Sequence, residues 1–214
     1  MTLRAIHAFT AVTILLLLVW RVSAHAAPAD AEACPHDRTH LLSLDEDAFD
    51  QDLSNGGGGW RALASKPGCE TVAADLIRDY RQAHNNEAGI LFWHEAQLRA
   101  SAGEYAQTIP LMERSRKPAD QDRGGWNPYV DATLAFLRKD RAAIGAAREQ
   151  LSKVAPPPGE KISKDGFMEL SLPDGQKMKM RWPPNLDVVD GLIRCFDKPY
   201  DVAYGNECRS PAKP

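Results

Sequence analysis

The chain has 214 residues, of which 26 are Lys or Arg and 29 are Asp or Glu, for a formal net charge of −3. The charges are spread without a concentrated basic block, so nucleic acid is excluded as an expected partner. The length suffices for one domain with a real core, or one domain with a small appendage, but not for two large domains.

At the N-terminus, Arg4 and His7 precede an apolar run, Ala8 to Trp20, after which Val22-Ser23-Ala24 and Ala24-His25-Ala26 offer small-residue cleavage sites. This is the layout of a secretory signal peptide over residues 1–26, cut after Ala24 or Ala26. The run covers 13 residues before Arg21 interrupts it, short of the about 20 needed to cross a bilayer, so no stable span is expected after cleavage. Cutting after Ala26 removes Arg4 and Arg21 and leaves 188 residues with 24 basic and 29 acidic side chains, a charge of −5.

All four cysteines, Cys34, Cys69, Cys195 and Cys208, lie beyond the leader. An even number in an exported chain reads as two disulfides, with three connectivities open. Pairing of neighbours, Cys34 with Cys69 and Cys195 with Cys208, is favoured, because the second bridge closes a segment, Phe196 to Glu207, with little apolar content to hold it otherwise.

Ser43 is a suitable N-cap for a helix over Leu44 to Leu53, with Asp45, Glu46 and Asp47 where the helix dipole favours negative charge. Gly56 to Gly59 lack the Gly-Lys-Ser/Thr of a phosphate loop and read as a flexible connector. From Glu70 to Val154 the chain reads as nearly continuous helix. Val72, Leu76, Ile77, Tyr80 and Ala83 stripe a helix that ends at His84 before Asn85-Asn86. Ile90 to Ala102 is apolar on more than one side, as a helix between neighbours would be. Gly103 breaks it, and Tyr105, Ile109 and Met112 stripe the next, where Pro110 predicts a kink. Asn127 as N-cap and Pro128 at the first helical position open another helix. A last one carries Ile144, Ala147, Leu151 and Val154 and stops at Pro156-Pro157-Pro158.

The segment Gly103-Glu104-Tyr105-Ala106-Gln107-Thr108-Ile109 resembles the inter-helix turn of the tetratricopeptide repeat (TPR), and Tyr129 to Val154 resembles a second, weaker copy. The resemblance covers roughly Ala88 to Val154 and implies a mainly α fold, a TPR-like array of two to three antiparallel helical hairpins over residues 27–155. Glu95 and Ala96 near the family's Leu-Gly pair, Thr108 for its usual Ala, and Pro110 depart from the pattern. The same register implies a concave partner-binding side carrying Trp93, Gln97, Asn127 and Val130.

Residues 156–214 read as a C-terminal appendage packed on the helices. Met168, Leu170 and Leu172 alternate with Phe167, Glu169 and Ser171, and Met178, Met180 and Trp182 with Lys177, Lys179 and Arg181, around the turn signal Pro173-Asp174-Gly175. That spacing predicts a β-hairpin with Leu172 opposite Gln176, Leu170 opposite Met178 and Met168 opposite Met180, its apolar face docked on the helical domain. A short helix, Leu186 to Phe196, offers Val189, Leu192, Ile193 and Phe196 for the same purpose.

No motif implies a cofactor or metal. Cys34-Pro35-His36-Asp37-Arg38-Thr39-His40 has zinc-ligand types, but a structural site needs four ligands and Cys34 is better used in a disulfide. His94-Glu95 begins a zinc-protease helix that fails at Leu98. The expected function is therefore an exported protein- or peptide-binding scaffold in the periplasm or secreted, without catalysis. Two alternatives are a small exported hydrolase using His94 and Glu95, and a binder or inhibitor of an envelope partner working through the hairpin cations Lys177, Lys179 and Arg181.

Overall fold

A computed structural model describes residues 33–54, 57–171 and 177–210. The leader, the Pro173-Asp174-Gly175 turn and the Leu172–Gln176 pair lie outside the described residues. The protein is mainly helical, with one small antiparallel sheet near the C-terminus followed by short helices. Among the described residues no helix is long and apolar enough to cross a membrane.

The first helix is α1, Arg38–Ser43, and not a helix over Leu44 to Leu53. Asp37 caps it by accepting from the His40 N–H, while the Ser43 hydroxyl donates back to the His40 carbonyl and so ends the helix it was expected to start. Leu44 is extended, and a π-helical turn, Asp47–Gln51, follows. The described part of the glycine run, Gly57–Gly59, does more than connect. Gly59 has φ +54°, and a Cβ there would run into the Phe49 carbonyl, so the chain returns tightly enough to set α2, Trp60–Ala64, against the π-helical turn.

Three long helices come next: α3 (Glu70–His84), α4 (Gly89–Ser101) and α5 (Tyr105–Arg114). Of the predicted α3 stripe, Leu76, Ile77 and Tyr80 are buried, Val72 is half-buried and Ala83 is exposed, while Ala73 and Ala74 join the buried face; Asn85, left-handed at φ 49°, ends the helix. Short connections make α3, α4 and α5 successive packed neighbours, as are α6 (Trp126–Leu137) and α7 (Arg141–Ser152). Helix α6 begins one residue before the expected N-cap. The Asp122 carboxylate takes the N–H groups of both Trp126 and Asn127, at 2.6 and 2.7 Å, so the Asn127 side chain is not the cap.

The strands are β1, Phe167–Ser171, and β2, Lys177–Arg181, paired Leu170 to Met178, Glu169 to Lys179 and Met168 to Met180, the predicted register. The apolar face docks only in part: Met168 is buried, whereas Met178 is 43 % exposed. Trp182 tethers the hairpin by donating its indole N–H to the Val154 carbonyl at 2.9 Å.

Helix α8 spans Leu186–Arg194, and the cysteine-closed segment holds two further short helices, α9 (Tyr200–Tyr204) and α10 (Asn206–Arg209). That segment is less polar than expected, because Tyr200 and Ala203 are fully buried. Both disulfides join sequence neighbours, Cys34 to Cys69 and Cys195 to Cys208.

Two hydrophobic clusters result. One gathers Phe49, Trp60, Leu63, Leu76, Ile77 and Tyr80 around the Cys34–Cys69 bridge; the other joins α4, α6 and α7 to Val188, Val189, Leu192, Phe196 and Tyr200. Helix α4 belongs to both, giving Leu91 to the first and Trp93, Ala96 and Ala100 to the second.

Candidate functional site

The residues expected to line a concave side are not all at the surface. Trp93 is 3 % exposed and packs its ring 4.9 Å from both Trp126 and Tyr129, and Val130 is fully buried. Gln97 is half-buried and lies beside the Tyr200 hydroxyl, which has no hydrogen-bond partner of good geometry among the described residues. The physical reason is the C-terminal segment. Helix α9 lies against α4, and α8 against α6 and α7, so the side that the register would leave open is filled by the protein's own chain. Burial, with Tyr204 close by, holds the Tyr200 phenol far above its ordinary value and keeps it neutral.

Asn127 is the member of the set that borders open surface. Its side chain clasps the Lys117 backbone twice, donating to the carbonyl at 2.8 Å and accepting from the N–H at 3.0 Å. This fixes the loop after α5 as one wall of an open cleft of about 280 Å³, whose apolar walls are Ile90, Pro118 and Trp126. The Trp126 indole N–H already donates to the Ser115 carbonyl at 2.8 Å, which leaves its ring for apolar contact. Lys117 brings its ammonium 5.6 Å from that ring. Arg116 also lines the cleft but is held by Glu113 and Asp131, both at 2.7 Å. Nothing in the sequence marks Ile90 or Lys117 as a site residue: Ile90 reads as the start of an apolar helix and Lys117 as part of a polar loop. The strong helix start at residues 126–128 marked the place, but not the loop brought against it.

His94 and Glu95 occupy consecutive positions of α4, about 100° apart around the helix, and they serve different clusters. His94 Nδ1 lies 2.7 Å from Asp50 Oδ1, and the Trp60 indole N–H donates to the same oxygen at 2.7 Å. Arg61 stands 3.7 Å away, and Gln51 also bonds to the carboxylate. Burial alone would raise the Asp50 carboxyl, but the bonds from His94 and Trp60 and the charge of Arg61 outweigh it and hold it below its ordinary value. Asp50 is fully buried and ties the π-helical turn to α2 and α4.

Glu95, 2 % exposed, lies between Arg81 and Arg99. Arg99 also reaches Asp75 at 2.7 Å and Glu104 at 2.9 Å, and these carboxylates overcome its burial and strengthen its charged form. With Oε2 held by Arg81 and Oε1 by Arg99, Glu95 is engaged in the α3–α4 charge cluster and shares no hydrogen-bond partner with His94 among the described residues. Cys34 is consumed in its disulfide, and His36 Nδ1 lies 2.8 Å from the Cys34 carbonyl. Among the described residues no group of three or more His, Cys, Asp or Glu is placed to hold a metal ion.

No family model matches the chain, and no curated protein or solved structure is found to be similar to it.

Proposed function

We propose that the protein is an exported, TPR-like helical-hairpin scaffold that binds a peptide segment of an envelope or secreted partner in the cleft between Ile90, Pro118 and Trp126. The observation that carries this reading is the cleft's construction: a satisfied indole and two apolar side chains form its walls, and a loop pinned by Asn127 holds them open. Pre-formed concave sites with apolar walls and a few fixed polar groups suit a ligand that inserts one or two apolar side chains. Export is supported by the leader's layout and by two disulfides in a chain with no free cysteine among the described residues. The TPR likeness rests on the Gly103–Ile109 segment, in which Gly103 and Glu104 connect α4 to the helix α5 packed against it.

The test is affinity capture from the cell envelope with the mature chain and with Ile90→Glu and Lys117→Glu, both altered in the cleft, Lys117 exposed and Ile90 half-buried at the edge of the first cluster. Loss of a specific partner with unchanged melting temperature supports the reading. Equal recovery by wild type and both variants sinks it.

A further inference from the structure

The hairpin face opposite its methionines carries Phe167 and Glu169 on β1 and Lys177, Lys179 and Arg181 on β2. Glu169 pairs with Lys177 at 2.6 Å, while Lys179 and Arg181 have no ion-pair partner among the described residues. Both border an open cavity of about 450 Å³ where β2 meets the start of α8, with Phe167, Met180 and Pro184 as its apolar walls. The one carboxylate in that wall, Asp187, is already taken: Arg209 donates Nε and Nη2 to its Oδ2 at 2.9 and 2.6 Å. The cavity thus retains the charge of two cations beside an aromatic ring, and the Arg181 guanidinium stands 5.4 Å from the Phe167 centroid. A second open cavity of about 320 Å³ shares Phe167 and Lys179 with the first and brings in Asp165 and Glu169.

We propose that this trough docks an acidic, partly apolar peptide segment of a partner protein. A carboxylate fits the planar fork of Arg181 with Lys179 alongside, and a neighbouring apolar side chain has Phe167 and Pro184 to cover. Two unpaired cations among the carboxylates Asp165, Glu169 and Asp187 are too few for an anionic membrane, which takes clusters of about 4–8 basic residues, or for a phosphate backbone. The site is separate from the Trp126 cleft and does not depend on the function proposed for it.

Fluorescence anisotropy tests the proposal, using the mature chain and a fluorescein-labelled Gly-Glu-Phe-Glu-Leu-Gly peptide beside its glutamine counterpart. The acidic probe is expected to bind more tightly than the amide one, to weaken as salt is raised, and to lose about tenfold in affinity with Lys179→Glu/Arg181→Glu. Lys179→Gln and Arg181→Gln each give part of that loss. The proposal is overturned if the two probes bind alike, if the double variant binds the acidic probe as wild type does, or if phosphatidylglycerol vesicles or inorganic phosphate bind to Lys179 and Arg181 and the acidic probe does not.

Discussion

Replacing Glu95 with Ala removes the anion on which the buried charges of α3 and α4 converge. The consequence differs for its two partners. Arg99 keeps Asp75 and Glu104, at 2.7 and 2.9 Å. Arg81 keeps nothing of opposite charge among the described residues: its one ion pair is with Glu95, its Nε has no partner, and its guanidinium lies 3.8 Å from the Phe92 centroid. A buried cation stripped of its partner costs about 3–5 kcal/mol. For a domain of this size that corresponds to a fall in Tm of roughly 6–20 °C.

The assay is thermal and urea unfolding followed by circular dichroism, with both disulfides intact. Glu95→Leu combined with Arg81→Met is expected to recover most of the loss, because an apolar pair of similar volume has no desolvation to repay. A Glu95→Ala variant that loses less than about 1 kcal/mol, the range of an exposed pair, would refute the reasoning. So would additivity of Glu95→Leu and Arg81→Met, since contacting residues should couple.

The folded-state pKa of Asp50 lies below its ordinary value of 3.8; its bonds therefore stabilise fully above that pH and lose their effect as the pH falls through the folded value. The Tm deficit of Asp50→Asn should accordingly be largest near neutrality and shrink below about pH 4; a deficit unchanged down to pH 2 would count against it. Gly145 sits within α7 on the exposed side, with nothing within 4 Å of where a Cβ would stand, so Gly145→Ala should stabilise by about 0.5–1 kcal/mol, and any measured loss of stability contradicts this. The bridges close separations of 35 and 13 residues, for which chain entropy gives about 4 and about 3 kcal/mol. Serine replacement of Cys34 and Cys69 should thus cost more in urea unfolding than that of Cys195 and Cys208, and the reverse order would show that native contacts rather than loop length decide.

What the sequence made legible was local. The stripe Leu76, Ile77, Tyr80 with the Asn85-Asn86 stop located α3, and alternation around the Pro173-Asp174-Gly175 turn signal placed Leu170 opposite Met178. The misses arise where a distant group decides. Asp122 lies four residues before Trp126 and replaces Asn127 as cap, while Asp50 and His94 meet across 44 residues. Helix α9 has five residues, too few to show a period, and it is part of what fills the side assigned to Trp93 and Gln97. Glu95 had one local signal, Arg99 at i+4, but that spacing is as common on solvated faces and says nothing of burial. The cleft was half legible: residues 126–128 announced a helix start, and its other wall came from a loop whose position no periodicity encodes.

This pattern of burial bears on where recognition can occur. With α4 committed on both sides, to Leu91 and the N-terminal cluster on one and to Trp93, Ala96 and Ala100 on the other, its faces are occupied by the fold itself. Besides an open cavity of about 280 Å³ between α6 and α7, the open concave surfaces lie where helices end: the loop Ser115–Pro118 beside Trp126, and the strand β2 beside the start of α8. Such segments are positioned by a rigid core without being covered by it, the usual setting of binding residues. Each proposed surface also carries an anchor the core does not need for its own hydrogen bonding, the ring of Trp126 in one and Arg181 in the other. Substitution of Trp93 or Val130 would therefore report on stability, whereas Lys117, Lys179 and Arg181 are the exposed positions at which the proposed binding is tested.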